Sequence, residues 1–194
     1  SDDTGLILPP KLATLQAVVV PIFKSDDEKA KVMAEADKVV AELRGRGHEV
    51  HLDAREGMTP GAKYYEWELR GVPLRIEIGP RDVDQGSLMI VRRFVLEVPG
   101  EDEKATRARK KQALPRAEAI AKLGSILDEM QGQLYRRALA HRDRHSKAID
   151  TMEDYERFFK EGGGFAWVHW AGTAADEETM AKRFQTSIRN IPLD

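Results

Sequence analysis

Between Gly61 and Asp82 the chain gathers an aromatic ring, two carboxylates and two guanidinium groups at spacings that suit an unpaired nucleobase. Tyr64 and Glu68 stand four apart, so a helix places an aromatic plane beside a carboxylate. Arg75 falls on the strand expected next, and Arg81 and Asp82 in the turn after it. An aromatic ring stacks on any base, and neighbouring side chains then read its Watson–Crick and Hoogsteen edges. The two oxygens of a carboxylate match the parallel N–H donors of guanine, and arginine matches its O6 and N7 acceptors. The same residues also fit an exposed amphipathic helix with surface ion pairs. Their chemistry by itself leaves both readings open.

Other chemistries find no support. The 194 residues include no cysteine, which excludes disulfides, a thiolate nucleophile and Cys-ligated metal. No serine has a nucleophile-elbow context, and no phosphate loop or dinucleotide loop occurs. Gly162-Gly163-Gly164 follows a helix pattern rather than a strand. His141 and His145 are four apart, but Arg142 stands where a zinc-protease helix has glutamate, so a solvated pair is the simpler reading. His48 and His51 fall on opposite faces of a strand. No catalytic residue and no metal site is expected.

The elements that must position the cluster read as an α/β layer. Ala17 to Phe23 is a β-branched run that suits a buried strand ending at Pro21. Ser25 to Glu28 has capping-box spacing, and Val32, Ala36, Val39, Val40 and Leu43 then form one helical stripe, stopped at Gly45 and Gly47. His48 to Asp53 alternates as a second strand, which completes a βαβ crossover with parallel pairing. Thr59-Pro60-Gly61 opens the helix bearing Tyr64 and Glu68. Leu74 to Ile78 is a strand with Arg75 and Glu77 on one face; Gly79 to Asp82 is a turn, and Ser87 to Arg93 another strand.

Residues 1–103 are expected to form a first domain, 104–114 a linker and 115–194 a second, smaller α/β domain. In the last, Ile120, Leu123, Leu127, Met130 and Leu134 step by 3 and 4 along a long helix, a stripe that needs the following helix or a neighbouring domain as partner. A shorter helix follows Thr151, and strands at Phe165 to Trp170 and Ser187 to Pro192 flank a helix from about Asp176 to Phe184. The formal charge of −2 hides an asymmetry: residues 104–147 carry 12 basic and 4 acidic side chains between acidic flanks. That middle suits a polyanion or simply a solvated helix face. No apolar run approaches the roughly 18 residues of a membrane span. No signal peptide opens the chain, so a soluble, cytoplasmic protein is expected.

The stretch from Pro60 to Asp82, PGAKYYEWELRGVPLRIEIGPRD, closely resembles the anticodon-binding domain of prolyl-tRNA synthetases of the archaeal/eukaryotic-like type. Gly5 to Ala13 resembles that family's junction with its catalytic core. Gly164-Phe165 through Trp170-Ala171-Gly172, and Ile188 to Pro192, are similar to its zinc-binding-like C-terminal domain. The resemblance implies a mixed five-stranded sheet with flanking helices, followed by a smaller α/β domain. It implies that Tyr64 stacks on the anticodon, that Glu68 and Asp82 accept from guanine edges, and that Arg75 and Arg81 donate. Arg107, Arg109, Lys110, Lys111, Arg136 and Arg137 are then the candidates for tRNA phosphates.

Ala171, Asp176 and Asn190 stand where zinc-binding relatives have cysteines, so no zinc is expected, and Phe165, Trp167, Phe184 and Ile188 must form the small domain's core. The family's catalytic core, which binds ATP, Mg²⁺ and proline and through which the parent enzyme dimerises, has no counterpart in this sequence. The expected partners are tRNA(Pro) and that catalytic domain, and the chain by itself is expected to be inactive. The alternative is a non-catalytic RNA-binding or regulatory protein built on the same domain.

Overall fold

The computed structural model describes residues 1–189. The chain divides into two compact units, residues 1–136 and 137–194.

In the first unit, β1 (Ala17–Pro21) leads through α1 (Asp26–Gly45) to β2 (Val50–Leu52), and α2 (Pro60–Leu69) leads to β3 (Leu74–Ile78). A short α3 (Pro80–Gln85), β4 (Ser87–Arg92), α4 (Glu103–Lys110), β5 (Lys111–Pro115) and the start of α5 (Arg116–Arg144) follow. The sheet order is β2-β1-β3-β4-β5, with β1 parallel to β2 and β3, and β4 antiparallel to β3 and β5. This is the mixed five-stranded sheet expected.

β1 is buried along its whole length because helices cover both of its faces. On one face Ala17, Val19, Leu74, Ile76 and Ile90 meet Val32, Ala36, Val39 and Leu43 of α1 and Ile120, Leu123, Leu127 and Met130 of α5. On the other, Val18 and Val20 pack with Trp67 of α2 and Val72. Ser25 caps α1 by accepting from the Glu28 amide at 3.3 Å, while the Glu28 carboxylate reaches past it to the Lys24 amide at 2.7 Å.

Three sequence expectations change here. Residues 104–114 are no linker: they form most of α4 and nearly all of β5, whose burial alternates because it is the sheet edge. The boundary moves from 103 to Arg136: of the two partners open to the α5 stripe it takes the neighbouring domain, packing on the sheet and α1. The Gly79 to Asp82 turn continues into α3, because Pro80 suits a first helical position and the Asp82 carboxylate accepts from the Gly79 amide.

The second unit pairs β6 (Ser146–Ala148) in parallel with β7 (Phe165–Trp167), and adds α6 (Met152–Lys160) and α7 (Ala174–Phe184). Its apolar contacts centre on Tyr155, Phe158, Phe159 and Phe184, with Tyr155 4.7 Å from Phe159 and 5.3 Å from Phe184, ring centre to ring centre. Phe165 and Trp167, expected in the core, are 54% and 59% exposed, because the two-residue alternation of β7 turns Ala166 inward instead. Gly164, at φ +144°, passes so close to the His145 carbonyl that a Cβ would lie 2.3 Å from it. Asp176 caps α7 by accepting from the Thr173 amide at 2.7 Å. Residues 187–189 form no strand; the remainder of that expected strand, and Asn190, lie outside the described residues.

Candidate nucleic-acid interface

Strand register places the candidate residues on one face. Arg75 lies opposite Val18 and Val91, and Val91 opposite Lys111; one row on, Glu77 lies opposite Val20 and Met89, and Met89 opposite Ala113. Directly opposed residues share a face. α2 covers its β1 end through Trp67. At the other end Lys111 and Ala113 are exposed and Met89 half-buried, so the face opens to solvent there.

At the rim of α2, the Arg75 guanidinium lies over the Tyr64 ring, 3.9 Å from its centre. Arg75 Nη1 donates to Glu68 Oε1 at 2.8 Å, and Nε donates to Glu77 Oε1 at 3.0 Å. The second oxygen of Glu77 accepts from Lys111 Nζ at 2.8 Å. Tyr64, Glu68 and Arg75 are therefore brought together as expected, and Glu77 and Lys111 join them. Asp82 sits within the same neighbourhood of chain, but its Oδ2 is engaged by the Gly79 amide at 2.9 Å and its Oδ1 lies 3.5 Å from the Ser87 hydroxyl. Arg81 is exposed and makes no hydrogen bond or ion pair among the described residues.

Burial, reinforced by the charge of Glu77, pushes the Tyr64 phenol up to about 12, so it remains a hydrogen-bond donor through the physiological range. In a spectrophotometric titration a tyrosine phase should appear near pH 12, and Tyr64→Phe should remove it. A titration that Tyr64→Phe leaves unchanged near pH 12 would contradict the packing of this ring.

Stacking plane, carboxylate and guanidinium thus occupy one rim of a half-open sheet, an arrangement that fits a splayed base. The anticodon binding domain family matches residues 16–126, which span all five strands. The chain belongs to this family.

Over all 194 residues it is 42% identical to the proline–tRNA ligase of Roseiflexus castenholzii and 39% identical to that of Chloroflexus aurantiacus. The chain spans 38% of the length of each. Among solved structures, the prolyl-tRNA synthetase of Cryptosporidium parvum, crystallised with L-proline and AMP, superposes with a TM-score of 0.78 at 29% identity. That superposition covers 93% of this chain and 36% of the synthetase.

Within this anticodon-binding domain the basic residues expected to meet phosphates are differently placed. Arg107 is exposed on α4 and Lys110 half-buried. Arg109 pairs with Glu101 and donates to the Leu96 carbonyl at 3.0 Å, so its guanidinium is occupied within the protein. Lys111 is held by Glu77 on the open face. Arg136 and Arg137 are exposed on α5 at the junction of the two units. Strand alternation places Glu77 beside Arg75 but assigns it no role. The register of Lys111 was hidden because its segment read as a linker. No helix among the described residues is long and apolar enough to cross a membrane.

Proposed function

We propose that this chain reads the anticodon of a proline tRNA, as the tRNA-recognition part of a prolyl-tRNA synthetase. The Tyr64–Arg75–Glu68 cluster on the half-open face of an anticodon-binding domain carries the reading. Similarity along the whole of this chain to part of the proline–tRNA ligases supports it. Tyr64 supplies the stacking surface, Glu68 and Asp82 accept from guanine N–H groups, and Arg75 and Arg81 donate to guanine acceptors. Exposed Arg107 and Arg136 suit phosphate contacts, with Arg137, Lys110 and the more constrained Arg109 and Lys111 behind them. Ligation of proline, with ATP cleaved to AMP in the presence of Mg²⁺, would belong to the catalytic part of the same cytoplasmic, homodimeric enzyme. This chain then has no aminoacylation activity of its own.

Discrimination would arise because a wrong base leaves buried polar groups without partners. The test is fluorescence anisotropy at one fixed salt concentration, comparing an anticodon stem-loop carrying UGG with a copy in which both guanines are replaced. The UGG loop should bind tighter by about ten-fold or more, since each good base-edge pair discriminates by roughly 1–3 kcal/mol. Glu68→Gln and Asp82→Asn should abolish the preference; asparagine can still cap α3, so its effect reports on the base rather than on the helix. Equal binding of both RNAs by the unmodified chain would mean that only phosphates are sensed.

A further inference from the structure

Glu77 is a carboxylate on the middle strand of the sheet, only 5% exposed, and both of its oxygens are taken. Oε1 accepts from Arg75 Nε at 3.0 Å, and Oε2 accepts from Lys111 Nζ at 2.8 Å. A buried charge is costly unless paired and hydrogen-bonded, and apolar residues commonly fill such strand positions. Here both flanking positions, Ile76 and Ile78, do belong to the apolar core on the opposite face. Glu77 instead faces the open side, one pleat from Arg75.

We propose that Glu77 is a positioning residue of the base-reading site: its buried carboxylate fixes the Arg75 guanidinium flat against Tyr64, so that Arg75 and Glu68 meet one base in a set register. This rests on the anticodon-reading function proposed above. The geometry of the fork supports it. A guanidinium is planar, and two hydrogen bonds from different nitrogens define its plane. The bond from Nε to Glu77 and the bond from Nη1 to Glu68 do so here, and the Tyr64 ring 3.9 Å away supports that plane from one side. Lys111 holds the second oxygen of Glu77, which keeps the carboxylate from rotating off Nε. Without Glu77, Arg75 would keep only its bond to Glu68, and the pair would be free to pivot together away from the base.

Glu77→Gln keeps the size of the side chain but turns an amide N–H₂ toward one of the two cations, so one of them loses its acceptor. The experiment uses the 194-residue chain with two RNAs at one salt concentration: the UGG stem-loop and a copy with both guanines changed to adenine. With folding checked by circular dichroism, Glu77→Gln should reduce the preference for UGG by about ten-fold, the worth of one well-aligned pair. Binding of the adenine copy should stay unchanged. A merely structural role would weaken both RNAs alike, and that result, or a fully retained preference, overturns the proposal. Should Glu77→Gln fail to fold, Glu77→Asp replaces it: the shorter side chain retains the charge but cannot hold Arg75 Nε in the same place while still meeting Lys111. Loss of preference in that variant supports the positioning role, and retention overturns it. If the unmodified chain shows no preference for UGG, the anticodon reading itself falls, and this inference with it; a preference that survives both substitutions removes this inference alone.

Discussion

Asp53→Ala should destabilise the 1–136 unit by about 3–5 kcal/mol, the usual consequence of removing one partner from a buried ion pair. Asp53 is fully buried at the end of β2. Its Oδ1 accepts from Arg55 Nε at 2.8 Å, and its Oδ2 accepts from Arg55 Nη2 and Trp67 Nε1, both at 2.8 Å. Lys63, 4% exposed, places Nζ 3.7 Å from Oδ1 and donates to the Asp53 backbone carbonyl at 3.0 Å. Alanine would leave the Trp67 indole N–H without its acceptor and the buried Lys63 ammonium without its counter-charge, with only the backbone carbonyl at position 53 still accepting from it. Burial by itself would raise the Asp53 pKa, but the hydrogen bonds from Arg55 and Trp67, with the charge of Lys63, outweigh it and hold the group well below the usual carboxylate range. A depressed value means that the stabilisation is complete above the unfolded pKa of about 4 and drains away as pH falls below it. Urea unfolding at neutral and acid pH checks both parts. The variant should be weaker at pH 7 and should lose less on acidification than the parent. A difference at pH 7 below about 1 kcal/mol, the net worth of an ordinary hydrogen bond, would show that the network does not anchor α2.

Leu123→Ala should cost the same unit about 2–5 kcal/mol, the range for truncating a leucine in a core that cannot collapse around the gap. Leu123 has no exposed surface and sits in the cluster formed by α5, α1 and the sheet. Strand β3 and helix α1 are fixed by their own contacts, so little can move to fill the space. The prediction also tests the boundary. With Trp67 kept as the single tryptophan, by changing Trp167 and Trp170 to phenylalanine, unfolding followed by fluorescence should shift to lower urea on Leu123→Ala. If Trp67 reports no shift, while a chain retaining only Trp167 and Trp170 does, α5 would belong to the second unit instead.

Much of this fold is legible in the sequence where one periodicity is unmixed. The run Ala17 to Val20 and the stripe Val32 to Leu43 have only one reading each, and both stand as expected. β5 escaped notice because LysGlnAlaLeuPro is a sheet edge, where half the residues face water and the pattern resembles a loop. The 3–4 stripe of α5 correctly announced a buried face but carries no information about what buries it. That depends on where the chain returns. Of the site, spacing on α2 and β3 was enough to bring Tyr64, Glu68 and Arg75 together. The part of Lys111 depends on pairing across 34 positions, which local pattern does not encode.

The chain of contacts from Glu68 through Arg75 and Glu77 to Lys111 alternates in sign, and each of its groups has a protein partner before any RNA arrives. In the proposed site, recognition is therefore an exchange of partners rather than a gain of new ones. A matching base would replace what it displaces and win little free energy locally. A mismatched base would break an ion pair and return nothing. Such a surface favours a selective but readily reversible reader, one that releases its RNA as easily as it rejects the wrong one.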